Sequence, residues 1–272
     1  MTTLSIVIVS FNACDDLDRC LASLATAPPA IDHHILVVDN ASTDGTVAMV
    51  RRDHPNVPVI GLPKNAGFAA ANNAGIRGTT GELILLLNSD TIVPAGAIDR
   101  LAACLGAHPD AAAAGPRLVD GNGRAELSWG RMIAPLTEAR RKLTMTLYAR
   151  RWGSVVRRIE AASRQERYVD WVSGACLLVR RPDAEAVGLL DERFFLYTED
   201  VDFCAALRAR GRRILFAPAA EVVHLRGRSR ASAPDASAAA YRRSHLAFYE
   251  KHHPQWVPML KLYLALKRVN AK

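Results

Sequence analysis

The chain has 272 residues, half of them hydrophobic, which is enough for one large α/β domain or a nucleotide-binding core with an appended region. Lysine and arginine number 35 against 27 acids, so a formal charge of +8 favours anionic partners, while aromatics at only 6% argue against a base-stacking nucleic-acid surface. Five cysteines without a C-x-x-C pair exclude the common zinc and redox signatures and read as reduced thiols. With no signal-peptide pattern and no apolar run near the ~20 residues that cross a bilayer, a cytoplasmic protein is expected.

Short β-branched runs alternate with helical patterns over the first ~120 residues, the rhythm of a parallel sheet flanked by helices. Residues 4–9 read as a buried strand, Leu17, Leu21 and Leu24 recur at helical spacing, and 35–38 form the second strand. A helix from Thr43, a strand over 57–61, a helix over 69–77 and an apolar strand over 83–87 follow, with Pro94 opening a helix that faces Ile98 and Leu101 inward. After a turn at 120–123 the stretch 131–167 becomes strongly basic, with scattered Leu, Met and Trp, and reads as a mobile insertion or helical flap. Strand signals return at 171–179, 213–216 and 222–225, with a helix from about Pro182. Residues 231–240 form an Ala/Ser-rich linker to an amphipathic helical tail divided by Pro254 and Pro258. The expected division is therefore a domain over 1–230, including a basic insertion at about 124–168, and a tail over 231–272.

Candidate chemistry gathers at strand ends, where an open α/β sheet forms its ligand crevice. Asp39 ends the second strand and can accept a hydrogen bond from a base or ribose; Asp44, in the turn that follows, reads as a helix cap. In KNAGFAAANNAGIRG small residues let a helix approach a ligand, although alanine packing on the sheet accounts equally well for Asn72 and Asn73. Asn88-Ser89-Asp90 leaves a buried strand. Asp90 there suits a hard ion such as Mg²⁺ or Mn²⁺, with an Asx-turn as the competing reading. Glu199, Asp200 and Asp202 open a helix whose dipole favours ionised carboxylates, which makes Asp200 the candidate base and Asp202 its support; simple acid-rich capping is the alternative. His224 ends a strand beside Arg226 and Arg228, an imidazole for a metal and two guanidiniums for diphosphate oxygens. His33-His34 and His252-His253 show no ligand partners and read as surface features.

Taken in order, SIVIVSFN, VVDNASTDGT, KNAGFAAANNAG, LLLNSD, WVSGACLLVRR, FFLYTEDVDFC and VVHLRGRS resemble family 2 glycosyltransferases of the GT-A fold, nearest to the bacterial rhamnosyltransferase-type group. The resemblance implies an α/β fold with a Rossmann-like, mostly parallel sheet. It implies a nucleotide pocket lined by Ser10, Asn12 and Asp39, with Asn65 and Asn73 nearby, and a DXD-type motif over 88–90 at ribose and metal. It also implies Asp200 as base and His224 as an added metal ligand. Asn88 departs from that motif, since an amide brings no charge to the ion.

These parts suit an inverting transfer from a nucleotide-sugar donor to an acceptor hydroxyl, and the resemblance implies a saccharide or lipid-linked saccharide acceptor in cell-envelope polysaccharide or glycolipid synthesis. A nucleotidyltransferase would carry a glycine-rich basic phosphate loop after the first strand, where residues 10–13 are Ser-Phe-Asn-Ala; a non-catalytic sugar-nucleotide-binding module is the third reading. The basic region and the tail mix cations with Trp, Leu and Tyr, which fits either an anionic membrane surface, hence a peripheral location on the inner face of the cytoplasmic membrane, or a solvated face or dimer contact.

Overall fold

The structure, a computed structural model, describes residues 2–225 and 234–269. Its first half is the expected alternation: β1 (Leu4–Ser10), α1 (Cys14–Thr26), β2 (His33–Asp39), α2 (Thr46–Asp53), β3 (Val59–Gly61), α3 (Phe68–Arg77) and β4 (Leu83–Asn88). Every residue of β1 is buried. Leu4, Ile6 and Ile8 share one core layer with Leu17, Leu21 and Leu24 of α1, while Val7 and Val9 share the other with Ala69, Ala71 and Ile76 of α3. Period-two alternation in a doubly covered strand thus sorts the two helical layers. The helix α3 lies very close to the sheet, since a Cβ on Gly75 would sit 2.3 Å from Val7 Cγ1.

Next come β5 (Thr91–Ile92), α4 (Ala97–Ala107), β6 (Ala111–Val119), β7 (Trp129–Gly130), α5 (Pro135–Ala149), α6 (Gly153–Ala162), β8 (Arg167–Val169) and β9 (Trp171–Val172). The chain then forms β10 (Cys176–Arg180), α7 (Arg181–Ala186), α8 (Glu199–Ala209), β11 (Arg213–His224), α9 (Pro234–His252) and α10 (Val257–Val269). The main sheet runs β3-β2-β1-β4-β10-β6-β11-β5, with β8 on the edge of β11. Strands β3, β2, β1 and β4 are parallel, β10 is antiparallel between β4 and β6, and β6 and β11 are parallel again.

Several boundaries differ from the sequence reading. Strand β3 starts at Val59 because Pro58 has no N–H for the ladder. Helix α2 begins at Thr46, not Thr43: Asp44 accepts the Thr46 N–H at 3.1 Å and Gly45 takes φ 85°, so 43–45 are a turn that Asp44 caps. The strand expected over 171–179 is broken at 173–175 into β9 and β10. The two strands expected at 213–216 and 222–225 are one, β11, with a register shift between Ala217 and Glu221.

The basic insertion is helical, built of α5 and α6. It is bolted to the sheet by buried Arg117 of β6, which bonds Glu160 at 3.0 Å, Ser163 at 3.2 Å and the Glu221 carboxylate. The expected linker is corrected in part: α9 runs from Pro234, so 234–240 are helical, as a proline in the first turn and repeated alanine favour, while 231–233 lie outside the described residues. The tail folds back on the core, burying Phe248, Tyr249 and Leu260 beside Phe194 and Phe203. No helix among the described residues is long and apolar enough to cross a membrane.

Candidate active site

Parallel pairing aligns Ser10 with Asp39 and Val9 with Asn88, so β2, β1 and β4 end side by side with a polar residue at each terminus. Asp39, only 3% exposed, accepts the Ser42 N–H through Oδ2 at 3.0 Å. Its Oδ1, Ser10 Oγ and Asn88 Oδ1 are buried without a hydrogen-bond partner. Leaving such atoms unpaired costs about 1–3 kcal/mol each, a cost recovered when a polar ligand bonds them.

The amides around this strand end do more local work than the sequence reading gave them. Asn12, at φ 48°, accepts the Thr43 N–H at 2.8 Å and gives its own N–H to Ser42 Oγ at 2.9 Å, tying the β1–α1 and β2–α2 loops together. Asn65 Oδ1 accepts from Asn40 Nδ2 and from the Gly67 N–H, which fixes the approach to α3. Asn73 is a correction. Its amide nitrogen bonds Leu190 O and Glu192, and its oxygen takes the Leu190 N–H at 3.0 Å, so its polar atoms staple α3 to 190–192 and leave it nothing directed at a donor.

Asp90 meets His224 through the pairing of β5 with the end of β11, which aligns Thr91 with His224 and lets the Leu225 N–H bond Asp90 O at 2.8 Å. His224 Nε2 lies 3.2 Å from Asp90 Oδ1 and its Nδ1 lies 3.1 Å from Glu126 Oε2. Burial opposes charge on this imidazole, but the hydrogen bonds and charges of Asp90 and Glu126 outweigh it and raise the His224 pKa to about 9. Burial likewise opposes the Asp90 anion, and His224 and the Asn88 side chain overcome it and hold its carboxyl below the ordinary range.

Asp200 stands at the start of α8, after Tyr197 and Thr198 at φ 70° and 65°. The break between β9 and β10 supplies its partner, the Gly174 N–H, at 2.9 Å from Oδ2. Ala175, the next residue, accepts the Asn88 N–H at 2.9 Å. Consecutive residues of one turn therefore join Asp200 to Asn88, and through Asn88 to Asp90, at the same end of the sheet as Asp39. A Cβ on Gly174 would lie 3.3 Å from Asp200 Cβ. The segment before α8 reaches the same region, where Phe195 O accepts the Phe68 N–H at 2.7 Å; a side chain on Gly67, at φ 89°, would collide with Phe195.

The three acids of α8 have separate environments. Burial, reinforced by Asp200 beside it, drives the Glu199 carboxyl well above its ordinary value. Burial also raises Asp200, but the Gly174 and Val201 N–H groups and the charge of Arg141 oppose that rise. Of two adjacent carboxyls, Asp200 is the one whose anion is supported. Asp202 points elsewhere: Lys251 Nζ lies 2.8 Å from its Oδ2 and His252 Nε2 2.6 Å from its Oδ1. Its support goes to the docking of α9 and not to Asp200. The surface reading of His252-His253 is corrected with it, since His252 holds Asp202 and His253 Nε2 lies 2.7 Å from Ile133 O.

Arg226 and Arg228 lie outside the described residues. Sequence reasoning missed Glu126, Gly174 and Arg141. Glu126 and Arg141 carry no local motif, and Gly174 lay inside a run read as continuous strand.

Residues 5–185 match the family model for glycosyl transferase family 2. The chain is 33% identical over 266 residues to the N-acetylglucosaminyl-diphospho-decaprenol L-rhamnosyltransferase of Mycobacterium tuberculosis, covering 93% of this chain and 86% of that one. Among solved structures, the mannosyltransferase PcManGT of Pyrobaculum calidifontis, in complex with GDP-Man and Mn²⁺, superposes with a TM-score of 0.61 at 19% identity over 95% of this chain and 68% of its own. Residues 1–349 of TarS from S. aureus superpose with a TM-score of 0.57 at 18% identity over 82% of this chain and 60% of theirs. The expected GT-A architecture is the one observed, and with a matching family model and a relative 33% identical over most of both chains the chain belongs to glycosyltransferase family 2.

Proposed function

We propose that this glycosyltransferase moves L-rhamnose from a nucleoside-diphosphate donor to a hydroxyl of a lipid-diphosphate-linked N-acetylglucosamine, with inversion, in building a cell-envelope glycan. The observation that carries the reaction is the linkage of Asp200 to Asn88 and Asp90 through Gly174 and Ala175. The substrate pair rests on the rhamnosyltransferase relative, which aligns over nearly the whole chain.

The donor's nucleoside lies against the carboxyl ends of β1, β2 and β4, where Asp39 Oδ1, Ser10 Oγ and Asn88 Oδ1 offer unpaired buried acceptors or donors to ribose and base. Asn12 and Asn65 keep the loops around that pocket in place. Asp200 takes the proton of the acceptor hydroxyl as that oxygen forms its bond to the anomeric carbon. The bond from that carbon to the diphosphate oxygen breaks on the opposite face, and the nucleoside diphosphate leaves with the electron pair. Burial and the neighbouring Asp200 disfavour the Glu199 anion beside it, which lessens its competition for the proton.

A divalent ion, Mg²⁺ or Mn²⁺, would be held by Asp90 and by His224 once the imidazole gives up the proton that Asp90 and Glu126 favour, with Glu126 behind the ring as such ligands are usually supported. Among the described residues no group of three or more His, Cys, Asp or Glu is arranged to hold a metal, so these two ligands call for the donor's phosphate oxygens to complete the shell. When bound, the ion would neutralise charge on the departing diphosphate, and Arg226 and Arg228 are placed by sequence to share that role. The test is transfer from a panel of nucleotide sugars to a synthetic, short-chain N-acetylglucosaminyl diphospholipid, with Mn²⁺ or Mg²⁺. Product from the rhamnose donor supports the reading; transfer of a different sugar corrects the donor, and no transfer from any donor sinks it.

A further inference from the structure

Helix α5 has two unlike sides. Inward, Arg141 lies over the Trp171 ring at 4.5 Å and contributes its charge to Asp200, while Glu138 bonds His245 and Tyr249 of α9. Outward, Leu136 is 80% and Leu143 61% exposed, one heptad apart and so on one face. Helix α10 repeats the pattern, burying Leu260 but exposing Met259, Leu262 and Tyr263. The two helices adjoin, because Lys142 Nζ sits 5.1 Å from the centre of the Tyr263 ring. Their open apolar faces are therefore neighbours beside the catalytic helix.

Charge says what covers them. Residues 135–162, which span α5 and α6, hold seven lysines and arginines against two acids, Glu138 and Glu160, and residues 254–265 add Lys261 with no acid. That excess of six is most of the +8 of the whole chain, so the rest of the protein is close to neutral. Glu138 is already engaged by Lys142 at 3.1 Å and by His245 at 3.0 Å. A second copy would bring a like-charged face against this one, which is unfavourable. Exposed leucines among cations on two helices suit a planar, anionic, partly apolar partner.

We infer that α5 and α10 together form a docking face for an anionic lipid bilayer. Cations near such a surface each gain roughly 1 kcal/mol, and the leucines enter the headgroup boundary. Lipid binding follows from this surface alone. Only its use, holding Asp200 beside an acceptor anchored in the same bilayer, rests on the proposed reaction.

The test is sedimentation of the full chain with vesicles of phosphatidylcholine alone or with about one-third phosphatidylglycerol, a composition with the negative surface potential that attracts basic segments. Wild type should bind the anionic vesicles at least about tenfold more tightly, and salt should weaken that binding. The double substitution Leu143→Glu with Leu262→Glu should reduce binding by a further factor of about ten while transfer to a soluble, short-chain acceptor is unchanged. Wild type left in the supernatant at low salt would overturn the inference. A dimer on sizing columns that the double substitution dissolves, without vesicle binding, would overturn it in favour of self-association. Vesicle binding without sugar transfer would leave this inference standing and remove the proposed reaction.

Discussion

Gly174 gives its backbone N–H to Asp200 Oδ2 over 2.9 Å, and with the Val201 N–H on Oδ1 it holds the carboxyl proposed as the base. A backbone donor stabilises the anion without adding a side chain to the space around it. Replacing Asp200 with Asn preserves size and can keep an oxygen toward Gly174, but removes the proton acceptor. Turnover should fall by about 10²–10⁴, while donor affinity measured by calorimetry stays within about threefold. A variant with near-normal turnover would take Asp200 out of this role.

Arg141 predicts a pH effect with a definite sign. Burial raises the Asp200 carboxyl, and the Arg141 charge is among the influences that hold it down. As the proposed base, Asp200 acts in its deprotonated form, so the rate should fall as pH drops through its pKa. Arg141→Ala removes a lowering influence, and the acid limb of kcat/KM should move to higher pH with the basic limb unchanged. An acid limb that stays put or moves down separates Arg141 from the base.

Glu126 stands behind His224, 3.1 Å from Nδ1. A carboxylate in that position fixes the orientation of the ring and makes Nε2 a better ligand. Glu126→Gln should weaken Mn²⁺ binding by about 10–100-fold in the presence of a nucleoside diphosphate, read as free Mn²⁺ by electron paramagnetic resonance. Equal affinity in the two proteins would leave Glu126 a packing residue only.

What the sequence disclosed divides along the same lines. The strands β1, β2 and β4 announce themselves by unbroken β-branched and leucine runs, and their termini carry Ser10, Asp39 and Asn88 in plain view. Pairings between distant segments left no such trace. Glu126 reaches His224 across 98 residues, and Asp202 meets Lys251 across 49, because the tail folds back onto α8. Asn73 looked like a ligand because it neighbours glycine and alanine, yet those small residues serve the close packing of α3 on the sheet, where Asn73 is consumed by Leu190. Gly174 was hidden for another reason: a hydrophobic run shows where a strand is buried, not where two residues leave the ladder.

Lys251 is the cation that Asp202 and Asp191 share, each at 2.8 Å. Asp202 is almost fully buried, so Lys251→Met would leave its carboxylate with His252 alone. The expected loss is about 1–3 kcal/mol, a fall of several degrees in Tm for a protein of this size, without a change in donor affinity. Unchanged Tm would mean that His252 suffices to dock α9.

Glu138 supplies the acid-side test of the same tail. Burial alone would raise its carboxyl, but His245 and Lys142 lower it from 4.5 to about 2. A carboxyl whose folded pKa is depressed stabilises the fold above its unfolded pKa and loses that contribution as pH falls through the folded value. Glu138→Gln should therefore lower Tm at pH 7, and the gap to wild type should narrow between pH 4.5 and about 2 as wild-type Glu138 takes up its proton. Differential scanning fluorimetry across that window reads the effect directly. A gap of constant size down to pH 2 would show that Glu138 holds α9 through its shape and neutral hydrogen bonds, and not through its charge.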